Sequence, residues 1–184
     1  MDAMKGLITL LGFLSLVSCH AMAIPDKDCV LQNIPVVSTD SLRNETYAAR
    51  TTTIEVLFRN EDAPNPAKVF PDPLVTVKNL TTAKSCDIKD DYGIWSSVYL
   101  DVNERVLILN EYSGSSEILF FYDPKTCRKL AKLDVSSKSW EISGGRIRTH
   151  HYCMGDDVNP CPSIQEFRLD NRCLPSESKS ITIK

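Results

Sequence analysis

Apolar and polar side chains alternate every second residue along much of this chain. No long stretch places apolar residues at the i, i+3, i+4, i+7 spacing of an amphipathic helix. Alternation buries one face of an extended strand and leaves the other in water, so the pattern restricts the chain to sheets. In "TTIEVLFRN", Ile54, Val56 and Phe58 share a face, and "LVTVKNL" resumes the strand pattern. From Trp95 the rhythm is regular: "WSSVYL", a turn at 101–104, "RVLILNE", a small polar patch, "ILFFY", a turn at 123–126, and "CRKLAKLDV". Pro124 takes the second position of a type I turn. Four short strands with tight connections predict a meander resembling one propeller blade. Phe120 and Tyr122 should share one face of their strand and Phe121 the other. "SWEISGGRIRTHH" adds a hairpin turning at Gly144-Gly145, and Trp95 and Trp140 open strands and should pack in the core. Residues 61–73 hold four of the ten prolines and read as an irregular loop. "TAKSCDIKDDYG" reads as turns, and the polar tail from Ser176 to Lys184 should fray. The expected fold class is all-β: antiparallel strands in small meander sheets, propeller-like and stapled by disulfides.

The cysteines set the compartment. Of seven, Cys19 lies in an N-terminal segment that reads as a signal, leaving Cys29, Cys86, Cys127, Cys153, Cys161 and Cys173. An even set in an exported chain reads as disulfides formed in an oxidising compartment. Spacing does not choose the pairing; the expected pairs are Cys153–Cys161 as a local loop, Cys86–Cys127 across neighbouring strands, and Cys29–Cys173 tying the ends. Export is read from Lys5, the apolar run at 7–17 and Ala21-Met22-Ala23, which predict a cleavable signal over residues 1–23 and one mature domain over 24–184. Leu16-Val17-Ser18-Cys19 also fits a lipoprotein box with Cys19 lipidated, but the Ala-x-Ala site lies at the usual distance beyond the apolar run. The run is too short for a membrane span, and no later segment is apolar enough for one.

Chemistry is hard to find. Gly-x-Ser-x-Gly is absent, no free cysteine remains once the six pair, and no catalytic residue is assigned. His150-His151-Tyr152-Cys153 fits no standard zinc spacing, so neither metal nor cofactor is expected. A net charge of −3 without a basic cluster gives no footprint for nucleic acid. Asn44-Glu45-Thr46 and Asn79-Leu80-Thr81 match the glycosylation sequon, which keeps a eukaryotic secreted binding module open beside an exported hydrolase. The patch Ser113-Gly114-Ser115-Ser116 on its own is a hairpin turn of residues that tolerate unusual backbone angles.

Larger blocks carry a resemblance. "IEVLFRNEDAPNP", "VFPDPLV", "CDIKDDYGIWS" and "RVLILNEYSGSSEILFFYDPKTC" resemble a periplasmic immunity protein of type VI secretion, one that inhibits a papain-like peptidoglycan amidase effector. The likeness runs from about Thr53 to Cys173, and the six cysteines keep their order; it departs between Trp95 and Val98, over residues 31–50 and in the tail. The resemblance implies an all-β, propeller-like inhibitor whose cognate partner is the amidase. It implies that the hairpin carrying Ser113, Gly114, Ser115 and Ser116 enters the effector's cleft, with Ser115 and Ser116 meeting the catalytic cysteine and histidine. Glu111, Tyr112 and Glu117 flank the tip as expected rim contacts and sources of charge steering.

Overall fold

The computed structural model describes residues 29–39, 45–59, 69–70, 73–89, 93–114, 116–136, 139–151 and 163–182. Among these the chain forms fifteen strands and no helix. They assemble into three antiparallel sheets. The first contains β2 (Val37–Ser38), β3 (Thr46–Arg50), β4 (Ile54–Arg59), β6 (Leu74–Asn79) and β7 (Ser85–Ile88) in that order. The second runs β1 (Leu31–Pro35), β8 (Gly93–Asp101), β9 (Leu107–Ser113), β10 (Ser116–Tyr122) and β11 (Lys129–Asp134), with β5 (Val69–Phe70) also on β8. The third is the meander β12 (Ser139–Ser143), β13 (Arg146–His151), β14 (Ser163–Leu169) and β15 (Pro175–Thr182). Each sheet is built largely of consecutive strands, as in a blade, and none closes on itself among the described residues.

The second sheet is the middle layer. Ile34, Val98, Leu109 and Phe120 lie in one cross-strand row. They pack with Tyr47, Val56, Phe58, Val75 and Val77 of the five-stranded sheet. The adjacent row, Tyr99, Ile108, Phe121 and Ala131, points the other way. It packs with Trp140, Ile147, Phe167 and Leu169 of the four-stranded sheet. A strand buried on both faces has no polar alternation to keep, and this is why "VLIL" and "ILFFY" are continuous apolar runs. Phe120 and Tyr122 join one core and Phe121 the other, as the phase of the sequence predicts. Ile54, Val56 and Phe58 likewise share the first core.

Among the described residues two disulfides hold the layers. Cys86 on β7 bonds Cys127, in the turn after β10, and Cys29, just before β1, bonds Cys173, in the turn between β14 and β15. Two of the three expected pairs, Cys29–Cys173 and Cys86–Cys127, form, with one correction: Cys86–Cys127 joins two sheets rather than two neighbouring strands. Cys153 and Cys161 lie outside the described residues, as do residues 1–28 with the signal and Cys19.

Three segments differ from expectation, the first being Val69–Phe70, within the stretch read as an irregular loop, which pair with β8 as the short strand β5. The stretch read as turns contains β7, a four-residue edge strand whose Ile88 is buried in the first core. The tail does not fray: β15 pairs with β14 from Pro175 to Thr182. Its side chains are polar because it is the edge strand of a sheet whose outer face meets solvent.

Candidate functional site

The hairpin β9–β10 forms the middle of the central sheet and reaches beyond it. Its strands pair from Leu107 with Tyr122 to Ser113 with Ser116, leaving a two-residue turn. Such turns need positive φ at the first central position, and Gly114 has φ +58°. The described part of β8 ends opposite Tyr112, at Gly93. On the other side β11 ends opposite Ile118, at Asp134. The last rung and Gly114 therefore lie beyond the described parts of both neighbouring strands. Ser113, Gly114 and Ser116 are exposed, and a Cβ placed on Gly114 would meet nothing within 4 Å. Ser115 is outside the described residues.

Beneath this slim tip the hairpin is held by buried polar groups. Asn110 and Glu111 are only 6% and 1% exposed. The Tyr122 hydroxyl donates to Glu111 Oε1 at 2.6 Å. Glu117 Oε1 accepts from Asn110 Nδ2 at 3.0 Å and from the Trp140 indole Nε1 at 2.9 Å. Glu117 also uses its backbone: its N–H donates to Ser136 Oγ at 2.8 Å, and its carbonyl accepts from Val135 N–H at 2.9 Å. Tyr112 covers Gly93, where a Cβ would come within 2.8 Å of the ring. An aromatic ring laid over a cross-strand glycine supplies the packing that the glycine lacks.

The residues singled out from sequence thus separate into two groups. Ser113, Gly114 and Ser116 form an exposed tip. Glu111 is placed inside the protein, so its carboxylate offers no rim surface; it holds Tyr122 instead. Glu117 and Tyr112 are half-buried and engaged within the fold. The sequence carried a signal for this. Glu111 is in phase with Leu107 and Leu109, and Glu117 with Leu119 and Phe121, so both start from core-facing positions.

The other candidates do not gather into a second site. Trp140 packs against the second core and against Tyr99, ring centroids 5.9 Å apart, while the side chain of Trp95 is not described. His150 is half-buried on β13, and Tyr152 and Cys153 lie outside the described residues. Cys29, Asp101 and Cys173 converge closely enough to suggest a metal, but the two sulfurs are bonded to each other and supply no thiolate. Asn79 turns its Oδ1 onto the N–H groups of Thr81 and Thr82, closing the β6–β7 turn. Asn44 is outside the described residues.

The family model for the immune protein Tsi1 matches residues 29–173, which cover β1 to β14 and both described disulfides. The chain belongs to the Tsi1 immune protein family. It is 31% identical, over 150 residues, to the immune protein Tsi1 of Pseudomonas aeruginosa strain PAO1; the match covers 79% of this chain and 86% of that protein. Tsi1 membership bears out the resemblance to a type VI secretion immunity protein. An immunity protein of the Tsi1 family is an inhibitor that binds a cognate effector, not an enzyme. The exported hydrolase is thereby set aside.

Proposed function

We propose that this Tsi1-family chain acts in the periplasm, exported by residues 1–23, and protects the producing cell's wall by occluding a papain-like peptidoglycan amidase. The observation that carries the reading is the overhanging tip, with Ser113, Gly114 and Ser116 exposed on a hairpin whose strands are deeply buried behind it. A protease-like cleft is narrow, and a hairpin ending in glycine and serines is slim enough to reach its floor. Serine hydroxyls both donate and accept, so Ser115 and Ser116 can satisfy a catalytic cysteine and histidine in either protonation arrangement. They offer no activated carbonyl, so the nucleophile has nothing to attack. A tip already ordered on rigid strands also loses little freedom on binding.

The test is amidase inhibition by S115R/S116E and S115A/S116A beside the parent protein, with a thermal melt of each. The bulky charged pair should lose inhibition by more than about a hundredfold, a difference of about 2.7 kcal/mol. Its melt should stay within the shift expected of a surface change, about 0.5 kcal/mol. The alanine pair keeps the shape and should lose less. Full inhibition by S115R/S116E would show that the partner is gripped elsewhere.

A further inference from the structure

We infer that Glu117 is the positioning residue of the inhibitory hairpin, tying the base of the tip to the four-stranded sheet so that the tip is ordered before any partner arrives. The inference rests on the proposed plug. It assigns to Glu117, which resembles a rim residue in sequence, a different task.

Glu117 sits where the sheet narrows. Up to Glu117 the hairpin is flanked on both sides, by Gly93 of β8 opposite Tyr112 and by Val135, just past β11, bonded to Glu117; the rung Ser113–Ser116 lies beyond. A two-stranded ribbon twists more freely than a strand inside a sheet. The transition is the place where lateral bonds matter most, and Glu117 makes them in three directions. Its carboxylate takes Asn110 across the hairpin and Trp140 from β12 on the same oxygen. Its main chain takes Val135 and Ser136, from the connection that leads into β12. Ser136 is fixed in turn by its N–H to Asp134 Oδ1 at 2.9 Å, and the Trp140 ring is fixed edge-on to Tyr99 of β8. Trp140 is an N–H donor only, so the geometry requires an acceptor at 117. A carboxylate accepts two donors more strongly than a neutral group does. The third sheet thereby steers a tip that it does not itself carry.

Three variants decide the matter: E117A removes the acceptor, W140F removes one donor while keeping a ring in the core, and E117Q keeps a carbonyl acceptor. The first readout needs no effector. In the free protein, the 15N order parameter of the Gly114 amide should be that of rigid backbone, about 0.85, and fall below about 0.6 in E117A. It should fall part of the way in W140F and recover in E117Q, with the Phe121 amide unchanged throughout. The second readout is amidase inhibition, which should weaken about tenfold in E117A, less in W140F, and return in E117Q. An unchanged Gly114 order parameter in both E117A and W140F would overturn the inference, as would a loosened tip that inhibits as well as the parent. If E117A does not fold, W140F decides by the same criteria. If the parent protein leaves the amidase active, the plug reading falls, whereas the Gly114 measurement still decides whether Glu117 holds the tip.

Discussion

A single carboxylate at the far end of β8 shows how this fold tolerates buried charge. Asp101 is fully buried, against the Cys29–Cys173 bridge. Burial alone would raise its pKa. The Arg105 guanidinium, which donates through Nε at 2.7 Å and Nη2 at 3.1 Å, outweighs burial together with the backbone N–H of Asn103, and holds the group below the usual carboxylate range. Asp170 follows the same pattern: burial pushes up, and the N–H groups of Leu174 and Arg172 bring it below its ordinary value. A folded-state pKa below the unfolded one means that the unfolded chain binds more protons as acid is added. The stabilisation is therefore complete above the unfolded value, about 4, and is lost as pH falls through the lower folded values. The melting temperature should change little between pH 7 and 5 and drop steeply below about pH 4. D101N should melt lower at pH 7, by about 1–3 kcal/mol for a disrupted buried bond, and fall less steeply in acid. Parallel acid profiles for parent and D101N would show that Asp101 is not a source of the acid sensitivity. The sequence marked 101–104 as a turn but not this burial, because a carboxylate that opens a turn is ordinarily solvated; only the packing of β14–β15 over the turn closes it off.

At the scale of elements, the central hairpin was the most legible part of the sequence and also the most incompletely read. Two apolar runs and a glycine-serine turn gave the strands, their register and the faces of Phe120, Phe121 and Tyr122. They did not give the neighbours, since a continuous apolar run says that both faces are covered without saying by what. The edge strands β7 and β15 were missed for the opposite reason. Four residues are too few to show a period, and a polar edge strand shows none. Between Ile94 and Val98 the register of β8 against β9 shifts. The turn itself allows a clean test of local conformation against contact. Gly114 has positive φ and open space around it, so G114A introduces backbone strain and no collision. It should lower stability by about 1 kcal/mol in urea unfolding, with an unchanged slope. A loss above about 2 kcal/mol would mean that the tip touches something in the free protein and is not held clear of it.

The described residues form three layers with two covalent staples, and each staple joins one outer sheet to the middle one. An even cysteine set predicted pairing, but spacing carries no information about layers, so it could not show that Cys86–Cys127 crosses from one sheet to another. The architecture makes the two bonds unequal. Cys29 and Cys173 are 144 residues apart and Cys86 and Cys127 are 41 apart. Both restrict the unfolded chain, and the restriction grows with the logarithm of the loop, so the longer bridge should contribute about 1 kcal/mol more. Removing a native bridge from a small disulfide-bonded domain costs about 2–5 kcal/mol. The expected result is that C86A/C127A and C29A/C173A each unfold at lower guanidinium concentration than the parent, with C29A/C173A the lower of the two. Burial orders their chemistry the same way: Cys29 and Cys173 are buried, whereas Cys86 and Cys127 are half-buried, so mild reductant should open the shorter loop first. Under such reductant the parent should first melt like C86A/C127A, and only stronger reductant should bring its melt lower. Loss of the four-stranded sheet would reach the hairpin through Trp140 and Glu117, so inhibition should suffer more when the Cys29–Cys173 staple is removed. Equal stabilities for the two variants, or the reverse order, would show that contacts between the layers, and not restriction of the unfolded chain, set what each bridge contributes.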